Sequence, residues 1–418
     1  MRALGIFLLM YIASFALLSS VPTVAASDYT LGIFGNANMD DTIDENDIAY
    51  VEGVIKGTNS ATNLSDANYD GKIDEDDIAH IKQIMCGEEK ELTIVQYIGL
   101  GPEFAEEPVT VPMPVETMIA ASYNKVKMLC AFGEQDKIVG IVESAKTVKE
   151  LGSFLENKTV IGQSNHIWDI EKILEINPDF VHSTGKYSPE YKEQLSTANI
   201  PIVLMDFSTQ KKYSKEVKNM GYLLDKKERA EELIKFEEQH HELIAERVKH
   251  LNDEQKPRVY LESNKDYKAC GPGNPYHQPI IDGGGINIFN DITSTVDIDP
   301  EAVIVRNPQI IIKMIYSGSV SSGYDVTDTS QLDEVRNDIM NRTGWDKIDA
   351  VKNRRVFLID LDAQSVHPSV YQSYIAKWLH PELFEDIDPV AIHEEWFERF
   401  LGINFKGIYA YPLQGESR

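Results

Sequence analysis

The longest helical pattern in the chain is DKKERAEELIKFEEQHHELIAERVKHL, residues 225–251. Its apolar residues recur at helical spacing, and charges of alternating sign occupy the opposite face, which predicts one amphipathic helix. Asp225 can cap the first turn, and Glu228 completes a capping-box pattern. A helix of this length spans roughly 40 Å, too long for an ordinary crossover inside one small domain. The segment therefore predicts a strut between two halves of the chain, with a long surface helix as the alternative.

Short apolar strands alternate with helical segments on both sides of the strut. The predicted strands are residues 117–121, 137–142, 180–182, 202–205, 258–262, 310–313 and 355–359. This alternation is typical of parallel sheets covered by helices on both faces. We therefore expect an α/β fold of two Rossmann-like lobes, residues 115–212 and 255–418, joined by a linking helix within residues 213–254.

The amino terminus has the pattern of an export signal. Residues 1–26 contain a basic start at Arg2, an apolar run and a small-residue exit that ends at Ala26. An uncleaved anchor is the alternative. No cysteine lies near the expected cleavage site, so attachment through a lipid-modified cysteine is not expected. We therefore predict a secreted protein at the extracytoplasmic cell surface.

The net charge of -27 argues against binding to nucleic acid, because a phosphate backbone would be repelled.

Two acidic segments, residues 36–47 and 66–77, match each other thirty positions apart. Oxygen-bearing side chains at spaced loop positions suit calcium, and position 7 contributes a backbone carbonyl. An acidic turn without metal is the alternative for a single match. The predicted metal ligands are Asn36, Asn38, Asp40, Thr42, Asp44 and Asp47 in the first loop, and Asp66, Asn68, Asp70, Lys72, Asp74 and Asp77 in the second. We expect a small all-α double calcium-loop module over residues 27–91 and a linker over residues 92–114.

The repeated loops resemble a type I dockerin over residues 30–87, because both end in Asp at position 12. The resemblance implies that the module docks on a cohesin-bearing surface protein. The contact would be made by the start of the helix that begins at the end of either loop. The docking pairs here are Glu45-Asn46 and Glu75-Asp76. They are acidic, whereas small hydroxylic pairs are common in that family.

Residues 115–405 resemble the ABC-transporter substrate-binding proteins of the cobalamin, haem and iron-siderophore group. The matching stretches are 131–133 (AFG) with 136–140 (DKIVG), 173–179 (ILEINPD), 283–288 (GGGINI), 299–304 (DPEAVI) with 307–308 (NP), and 350–356 (AVKNRRV). The resemblance implies two lobes on a rigid helix, with small closure, that deliver a ligand to a membrane permease.

In such a fold the ligand lies beyond the carboxyl ends of the strands. The loops at that edge are rich in tyrosine, which offers a flat apolar face and a hydroxyl. The predicted ligand-binding residues are Tyr123, Asn124, Tyr187, Tyr276, His277, Tyr316, His367 and Tyr371. Packing of the loops is the alternative for any single tyrosine. Arginine is scarce there, so a corrinoid or haem is favoured over a strongly anionic siderophore complex.

Glu171 and Glu301 each lie in the first turn of a predicted helix, one in each lobe. The resemblance implies that such glutamates pair with arginines of the permease. Stabilisation of a helix start by a negative charge is the alternative role.

An enzyme and a surface-attachment scaffold are the competing function classes, because dockerins are common on secreted hydrolases. The sequence contains no Gly-x-Ser-x-Gly elbow, phosphate-binding loop or His-Glu-x-x-His helix. We therefore expect a binding protein and not an enzyme.

Overall fold

The structure, a computed structural model, describes residues 31–98, 104–147, 149–184 and 189–412. The signal predicted for residues 1–26 lies outside them. No helix among the described residues is both long and apolar enough to cross a membrane.

The helices and strands alternate along most of the described chain. The helices are α1 (Glu45–Ile55), α2 (Glu75–Cys86), α3 (Tyr123–Ala131), α4 (Gly152–Leu155), α5 (Ile170–Ile176), α6 (Pro189–Ser196), α7 (Gln210–Leu223), α8 (Lys227–Val248), α9 (Gln278–Asp282), α10 (Pro300–Arg306), α11 (Ser330–Met340), α12 (Asp349–Lys352), α13 (Pro368–Leu379) and α14 (Pro389–Trp396). The strands are β1 (Glu91–Ile98), β2 (Ala105–Pro112), β3 (Met118–Ala120), β4 (Ile138–Ile141), β5 (Thr159–Val160), β6 (Gly162–Ser164), β7 (Ile167–Trp168), β8 (Phe180–Ser183), β9 (Ile202–Leu204), β10 (Arg258–Glu262), β11 (Lys268–Cys270), β12 (Ile286–Asn287), β13 (Thr295–Asp297), β14 (Ile310–Ile315), β15 (Gly323–Tyr324), β16 (Val356–Asp360), β17 (Gly407–Ile408) and β18 (Ala410–Tyr411).

Parallel strands form the centre of each lobe, as the sequence predicts. In the N-terminal lobe, five parallel strands run in the order β5-β4-β3-β8-β9. In the C-terminal lobe, β10, β14 and β16 are parallel, and β11, β13 and β18 extend the sheet with antiparallel pairs. Every residue of β14 and β16 is buried, because a central strand covered on both faces has no solvent-facing side.

Helix α8 links the lobes but is shorter than the predicted strut. Its 22 residues span about 33 Å. The predicted capping box is wrong, because Asp225 adopts a left-handed φ of 53° in the turn after α7, and no side chain caps the first turn of α8. Near this end Arg229 donates to the backbone oxygen of Ala131 in the N-terminal lobe and to that of Phe400 near the carboxyl terminus. The predicted boundary at residue 212 falls inside α7, which packs along α8.

Residues 92–114, predicted as a linker, contain a β-hairpin instead. Strands β1 and β2 pair antiparallel over eight residues each. Most of β1 is buried, and the Gln96 side chain accepts a hydrogen bond from the backbone N–H of Leu204 in β9 at 2.8 Å. Two glutamates and two prolines of the segment that suggested a linker belong to β2, the outer and partly exposed strand, where such residues are tolerated.

The two acidic loops lead into α1 and α2, and this pair of loop–helix units packs on the N-terminal lobe. Position 6 of each loop has the positive φ that the sequence predicts, 72° at Asp41 and 89° at Gly71. The first loop and the residues just before it contact α7, where Lys218 pairs with Asp41 at 3.4 Å and Asn219 accepts a hydrogen bond from Gly32 N–H at 2.9 Å. Asn219 also donates to the backbone of β1. The loop–helix units, the hairpin and the lobe therefore form one packed body.

Candidate functional site

A cavity of about 220 Å³ lies between the two lobes. The N-terminal lobe contributes residues that follow β3 and β4, and the C-terminal lobe contributes residues that follow β14 and β16. The cavity is therefore at the carboxyl ends of parallel strands, where ligands of open α/β sheets bind. Its walls include Tyr123, Glu150, Tyr316, Tyr324, Asp360 and Asp362.

A buried ammonium group connects the two lobes beside this cavity. Lys127, on α3, has a side chain with 0% exposure, and its Nζ lies 2.7 Å from carboxylate oxygens of both Glu150 and Asp362. Because Asp362 belongs to the C-terminal lobe, this ion pair crosses the cleft. Burial alone would lower the pKa of Lys127, but the charges of Asp362 and Glu150 outweigh burial and raise that pKa above its usual value. Lys127 is therefore charged at neutral pH.

Another carboxyl group, that of Asp360, faces the cavity at the end of β16. Burial, reinforced by the charge of Asp362, raises the pKa of Asp360 to about 7. The Ser322 hydroxyl donates to Asp360 at 2.5 Å, and the backbone N–H of Asp362 donates at 2.8 Å. Two carboxyl groups thus pair with one buried ammonium, a third carboxyl group lies next to them, and the exposed Lys149 lies at the rim. The cavity carries excess negative charge when Asp360 is ionised, which disfavours anionic ligands.

The segment after β16 closes the middle of the cleft. The Ser365 hydroxyl donates to Asn124 Oδ1 at 2.9 Å, and Gln364 Nε2 donates to the backbone oxygen of Ser208 at 3.0 Å. Beyond this contact lies a second cavity of about 320 Å³, lined by polar side chains that include Gln372. A ligand that fills both compartments must separate residues 364 and 365 from the N-terminal lobe.

Four of the predicted tyrosines lie in or behind the cleft. Tyr123 and Tyr316 line the first cavity. Tyr276 packs edge-to-face on Tyr371, with ring centroids 5.5 Å apart. Burial, together with the nearby groups of Tyr123 and Asp360, raises the pKa of Tyr276. Tyr371 is fully buried, and neither it nor Tyr276 is among the residues that line the two cavities.

The other predicted ligand residues are placed differently. His277 does not line either cavity, and its Nδ1 lies 3.0 Å from Asn287 Nδ2. His367 is fully buried against Trp396, with ring centroids 4.4 Å apart, and burial lowers its pKa to about 3. Both imidazoles are thus uncharged packing groups, and neither reaches the cleft to hold a metal. Asn124 serves the contact between lobes, and Tyr187 lies outside the described residues.

Sequence reasoning missed the charged residues of the site. Asp360 and Asp362 had a readable signal, because the motif Asp-Leu-Asp directly follows an apolar strand at its carboxyl end. Lys127 and Glu150 had no comparable signal, since a single lysine or glutamate among helical residues usually faces solvent.

Glu171 and Glu301 occupy equivalent positions in one short helix of each lobe. Each is the second residue of a short helix, α5 or α10. Both residues are exposed. No ion pair among the described residues includes either carboxylate.

In both acidic loops, side-chain oxygen atoms point toward the inside of the loop. Asp66 accepts hydrogen bonds from the backbone N–H groups of Asp70 and Gly71, and Asp77 accepts one from that of Asn68. In the first loop the Asn36 Oδ1 atom is buried without a hydrogen-bond partner in the described chain. Among the described residues, no three His, Cys, Asp or Glu side chains already converge as a metal site. The donor set is nevertheless all oxygen, including amide and backbone carbonyl groups, which fits calcium better than a soft metal.

Comparison with known proteins finds relatives that are binding proteins. A family model described as "Periplasmic binding protein" matches residues 118–363. The chain is 23% identical over 330 residues to the molybdate-binding protein MolA of Haemophilus influenzae, covering 71% of this chain and 89% of MolA. The structure of the TroA-like protein FepB from Veillonella parvula matches with a TM-score of 0.63 and 22% identity, covering 73% and 97% of the two chains. CeuE of Helicobacter pylori, in a complex with Ni-His, matches with a TM-score of 0.57 and 21% identity, covering 74% and 97%.

At these identities the solved structures establish the fold alone. The family model covers more than half of the 418 residues and includes the strands and loops on both sides of the cleft. The loop–helix units and the β1–β2 hairpin precede the matched region. The chain therefore belongs to the periplasmic binding protein family, whose members are the substrate-binding components of ABC transporters.

Proposed function

We propose that this protein captures a metal chelate or corrinoid of neutral or positive charge outside the cytoplasm and delivers it to an ABC permease. The observation that carries the proposal is the acidic, tyrosine-lined cavity between the lobes. The faces of Tyr123 and Tyr316 offer apolar area to a planar ligand. Asp360 and Asp362 favour positive charge and disfavour the carboxylates of haem. A corrinoid or a cationic chelate is therefore the preferred cargo.

The same charges argue against an oxyanion. MolA is named for molybdate, which is a dianion. In this chain an anion in the first cavity would approach the carboxyl groups of Glu150, Asp360 and Asp362, whereas the nearby Lys127 is already paired. We therefore propose a ligand class different from the one in the name of MolA.

A bulky ligand requires the cleft to open. The two compartments, about 220 and 320 Å³, are each at or below the lower end of the range for small-molecule pockets. A corrinoid exceeds either one. Release of Ser365 from Asn124 and of Gln364 from Ser208 would join them, and these two contacts are single hydrogen bonds of modest net strength.

The ligand is identified by thermal unfolding of the full chain with aquacobalamin, cobinamide, several ferric chelates, haem and molybdate. A ligand at one hundred times its dissociation constant stabilises the protein by about 2.7 kcal/mol. We expect such a shift with a corrinoid or a cationic chelate and none with molybdate. A shift with molybdate alone would contradict the proposed ligand class.

The substitution Tyr316→Ala is expected to weaken binding of that ligand by roughly 10- to 100-fold, because it removes an aromatic side chain from the cavity. Tyr69→Ala is the matched control, since Tyr69 lies on an acidic loop and is 48% exposed, compared with 42% for Tyr316. Titration calorimetry of both variants measures the difference. Equal losses in the two variants would place the ligand elsewhere.

We also propose that the acidic loops bind calcium and that the loop–helix units attach the protein to a cohesin-bearing surface protein. The second loop would hold the ion through Asp66, Asn68, Asp70, Asp74 and Asp77, together with the backbone carbonyl of Lys72. The first loop is weaker, because it has a neutral Asn36 at position 1 and a strained Asp41 at position 6. Support comes from the positive φ values, the inward carboxylates and the unpartnered Asn36 oxygen.

Calcium is expected to raise the unfolding temperature of the full chain, and EDTA is expected to reverse this and to release the protein from cell envelopes. Asp66→Ala with Asp70→Ala should remove the second loop's part of the calcium shift and leave the ligand shift intact. Asp76→Asn, at an exposed position that is not a predicted ligand, is the control. An unchanged calcium shift in the double variant would exclude the second loop as the site.

Delivery of the ligand requires contact with a permease. We propose that Glu171 and Glu301 make this contact through arginines of the permease, because they are exposed, equivalent in the two lobes and without an ion-pair partner in the described chain.

A further inference from the structure

Two lysines of this chain show how the surroundings of the first cavity hold an ammonium group. Lys127 Nζ lies 2.7 Å from oxygens of Glu150 and Asp362, which both line the cavity. The same nitrogen lies 5.5 Å from the centroid of the Phe397 ring. An ammonium group above an aromatic ring is attracted by the electrons of the ring. This position therefore combines carboxylate charge with an aromatic surface.

A second position of the same kind includes Tyr324, another residue of the cavity wall. Lys406 Nζ lies 2.9 Å from a carboxylate oxygen of Asp325 and 5.0 Å from the centroid of the Tyr324 ring. Tyr324 stacks on Phe397 with 15° between the ring planes, so the two positions share one aromatic pair. At both positions a lysine of the chain itself neutralises the carboxylate.

A third carboxyl group of the cavity, that of Asp360, lies near Tyr123 and has no such cation. Asp360 is 2% exposed, and no ion pair among the described residues includes it. The hydrogen bonds that it accepts come from neutral groups, the Ser322 hydroxyl and the backbone N–H of Asp362. Burial, followed by the charges of Asp362 and Asp360, raises the pKa of the Tyr123 hydroxyl, because these groups are close together. A positively charged ligand would supply the counter-charge that the chain does not.

The size and the walls of the cavity limit what that ligand is. A volume of about 220 Å³ is the share of roughly seven water molecules in the liquid, which is the size of a short aliphatic amine. A primary ammonium group donates three hydrogen bonds, whereas a quaternary one donates none. The oxygen-bearing side chains of the walls include Asp360, Asp362, Ser317 and Ser322. These acceptors favour a primary ammonium group.

We propose that the first cavity recognises a primary ammonium group on a short aliphatic stem. Asp360 accepts the hydrogen bonds of this group beside the Tyr123 ring, and the stem packs against Tyr316. This inference rests on the proposed function and deepens it, because it names the group through which the cargo is recognised. The cargo is then an amine-bearing molecule, either a small amine or a larger chelate that inserts an amine into the first cavity.

The first test compares n-pentylamine with pentan-1-ol, which has the same length and no charge at neutral pH. Titration calorimetry of the full chain is carried out in about 0.15 M sodium chloride, which screens the general attraction of cations to the acidic surface. We expect saturable binding of the amine with one site per chain, and binding of the alcohol at least 10-fold weaker. Equal binding of the two compounds, or none of the amine, would overturn the inference. Tighter binding of tetramethylammonium or of potassium than of n-pentylamine would overturn the assignment to a primary ammonium group.

The substitution Asp360→Asn is expected to weaken binding of n-pentylamine roughly 10- to 100-fold, the effect of losing a hydrogen bond to a charged group. Asparagine keeps the size of the side chain and an oxygen for Ser322. Glu254→Gln is the control, because it removes one negative charge from an exposed position of a chain whose net charge is -27. Equal losses in the two variants would show that the acidic surface as a whole attracts the amine, which would overturn the site.

A second pair of variants tests the aromatic ring independently of Asp360. Tyr123→Phe keeps the ring and should bind n-pentylamine like the wild type. Tyr123→Leu removes the ring and should bind it roughly 2- to 30-fold more weakly. Equal affinities of the phenylalanine and leucine variants would overturn the role of the ring.

The thermal shifts with chelates and corrinoids separate this inference from the proposed function. If a compound without an amine shifts the unfolding temperature and n-pentylamine does not bind, the ammonium site is wrong and the binding function stands. If n-pentylamine binds with the expected dependence on Asp360 and no chelate or corrinoid produces a shift, the ammonium site stands and the proposed cargo class fails. If no compound binds, both fail.

Discussion

Lys127→Met is expected to lower the free energy of unfolding by about 3–5 kcal/mol, the cost of leaving buried charges without their partner. Methionine keeps the length of the side chain but removes the ammonium group. Glu150, whose side chain is 3% exposed, and Asp362 would then face each other across the cleft with no cation between them. The repulsion would also separate the lobes at this point. Urea unfolding followed by circular dichroism measures the change.

The matched control is Lys149→Met, which removes an exposed lysine near the same cavity and should change stability by less than about 0.5 kcal/mol. The triple variant Lys127→Met, Glu150→Gln, Asp362→Asn should recover most of the loss, because it no longer contains a buried unpaired charge. Equal stability of the wild type and Lys127→Met would show that the ion pair contributes nothing net.

Glu237→Gln is expected to stabilise the protein by about 3–5 kcal/mol at pH 9, given 1.4 kcal/mol per pKa unit. Glu237 lies on α8 with 0% exposure, and burial raises its pKa from 4.5 to about 8. The folded state therefore retains a proton that the unfolded state has lost between pH 4.5 and pH 8. The stability of the wild type should fall as pH rises through that window and then level off.

Glutamine is uncharged at every pH, so the variant should not lose stability as the pH rises from 4.5 to 8. One carboxylate oxygen of Glu237 accepts a hydrogen bond from Ser369 N–H at 2.7 Å, and a glutamine oxygen can replace it. Glu242→Gln, at an exposed position of the same helix, is the control and should not alter the pH dependence. Thermal unfolding from pH 4 to pH 9 compares the three proteins. Parallel curves for Glu237→Gln and the wild type would contradict the prediction.

The fold was predictable where hydrophobic periodicity carries the information. The central strands β14 and β16 contain the apolar runs 310–312 and 356–359, because both of their faces are buried. The β1–β2 hairpin was missed because its outer strand contains glutamate and proline, and its burial depends on contacts with α7 and β9 that no local pattern encodes. The start of α8 was also misplaced, since the turn from α7 sets the left-handed conformation of Asp225.

The candidate site was predictable in its position and less so in its chemistry. The rule that ligands bind at the carboxyl ends of strands pointed to the loops of Tyr123 and Tyr316, and both residues line the cavity. The same rule gave a wrong position for His367, because Trp396 of α14 packs against the imidazole and fills the space around it. The burial of Lys127 follows from the approach of the second lobe, a long-range contact that a sequence without an alignment does not reveal.

The contacts of Asn219 with Gly32 and with β1 have a consequence for the geometry of capture. A flexible linker of about 20 residues would have an end-to-end distance of roughly 25 Å. A module on such a linker would leave the two lobes free to take any orientation. Here these contacts pack the module against the lobe, so the proposed attachment through the loop–helix units would also set the angle of the cleft. Anchored copies would form an oriented layer, in which every molecule offers its opening to the membrane at the same tilt.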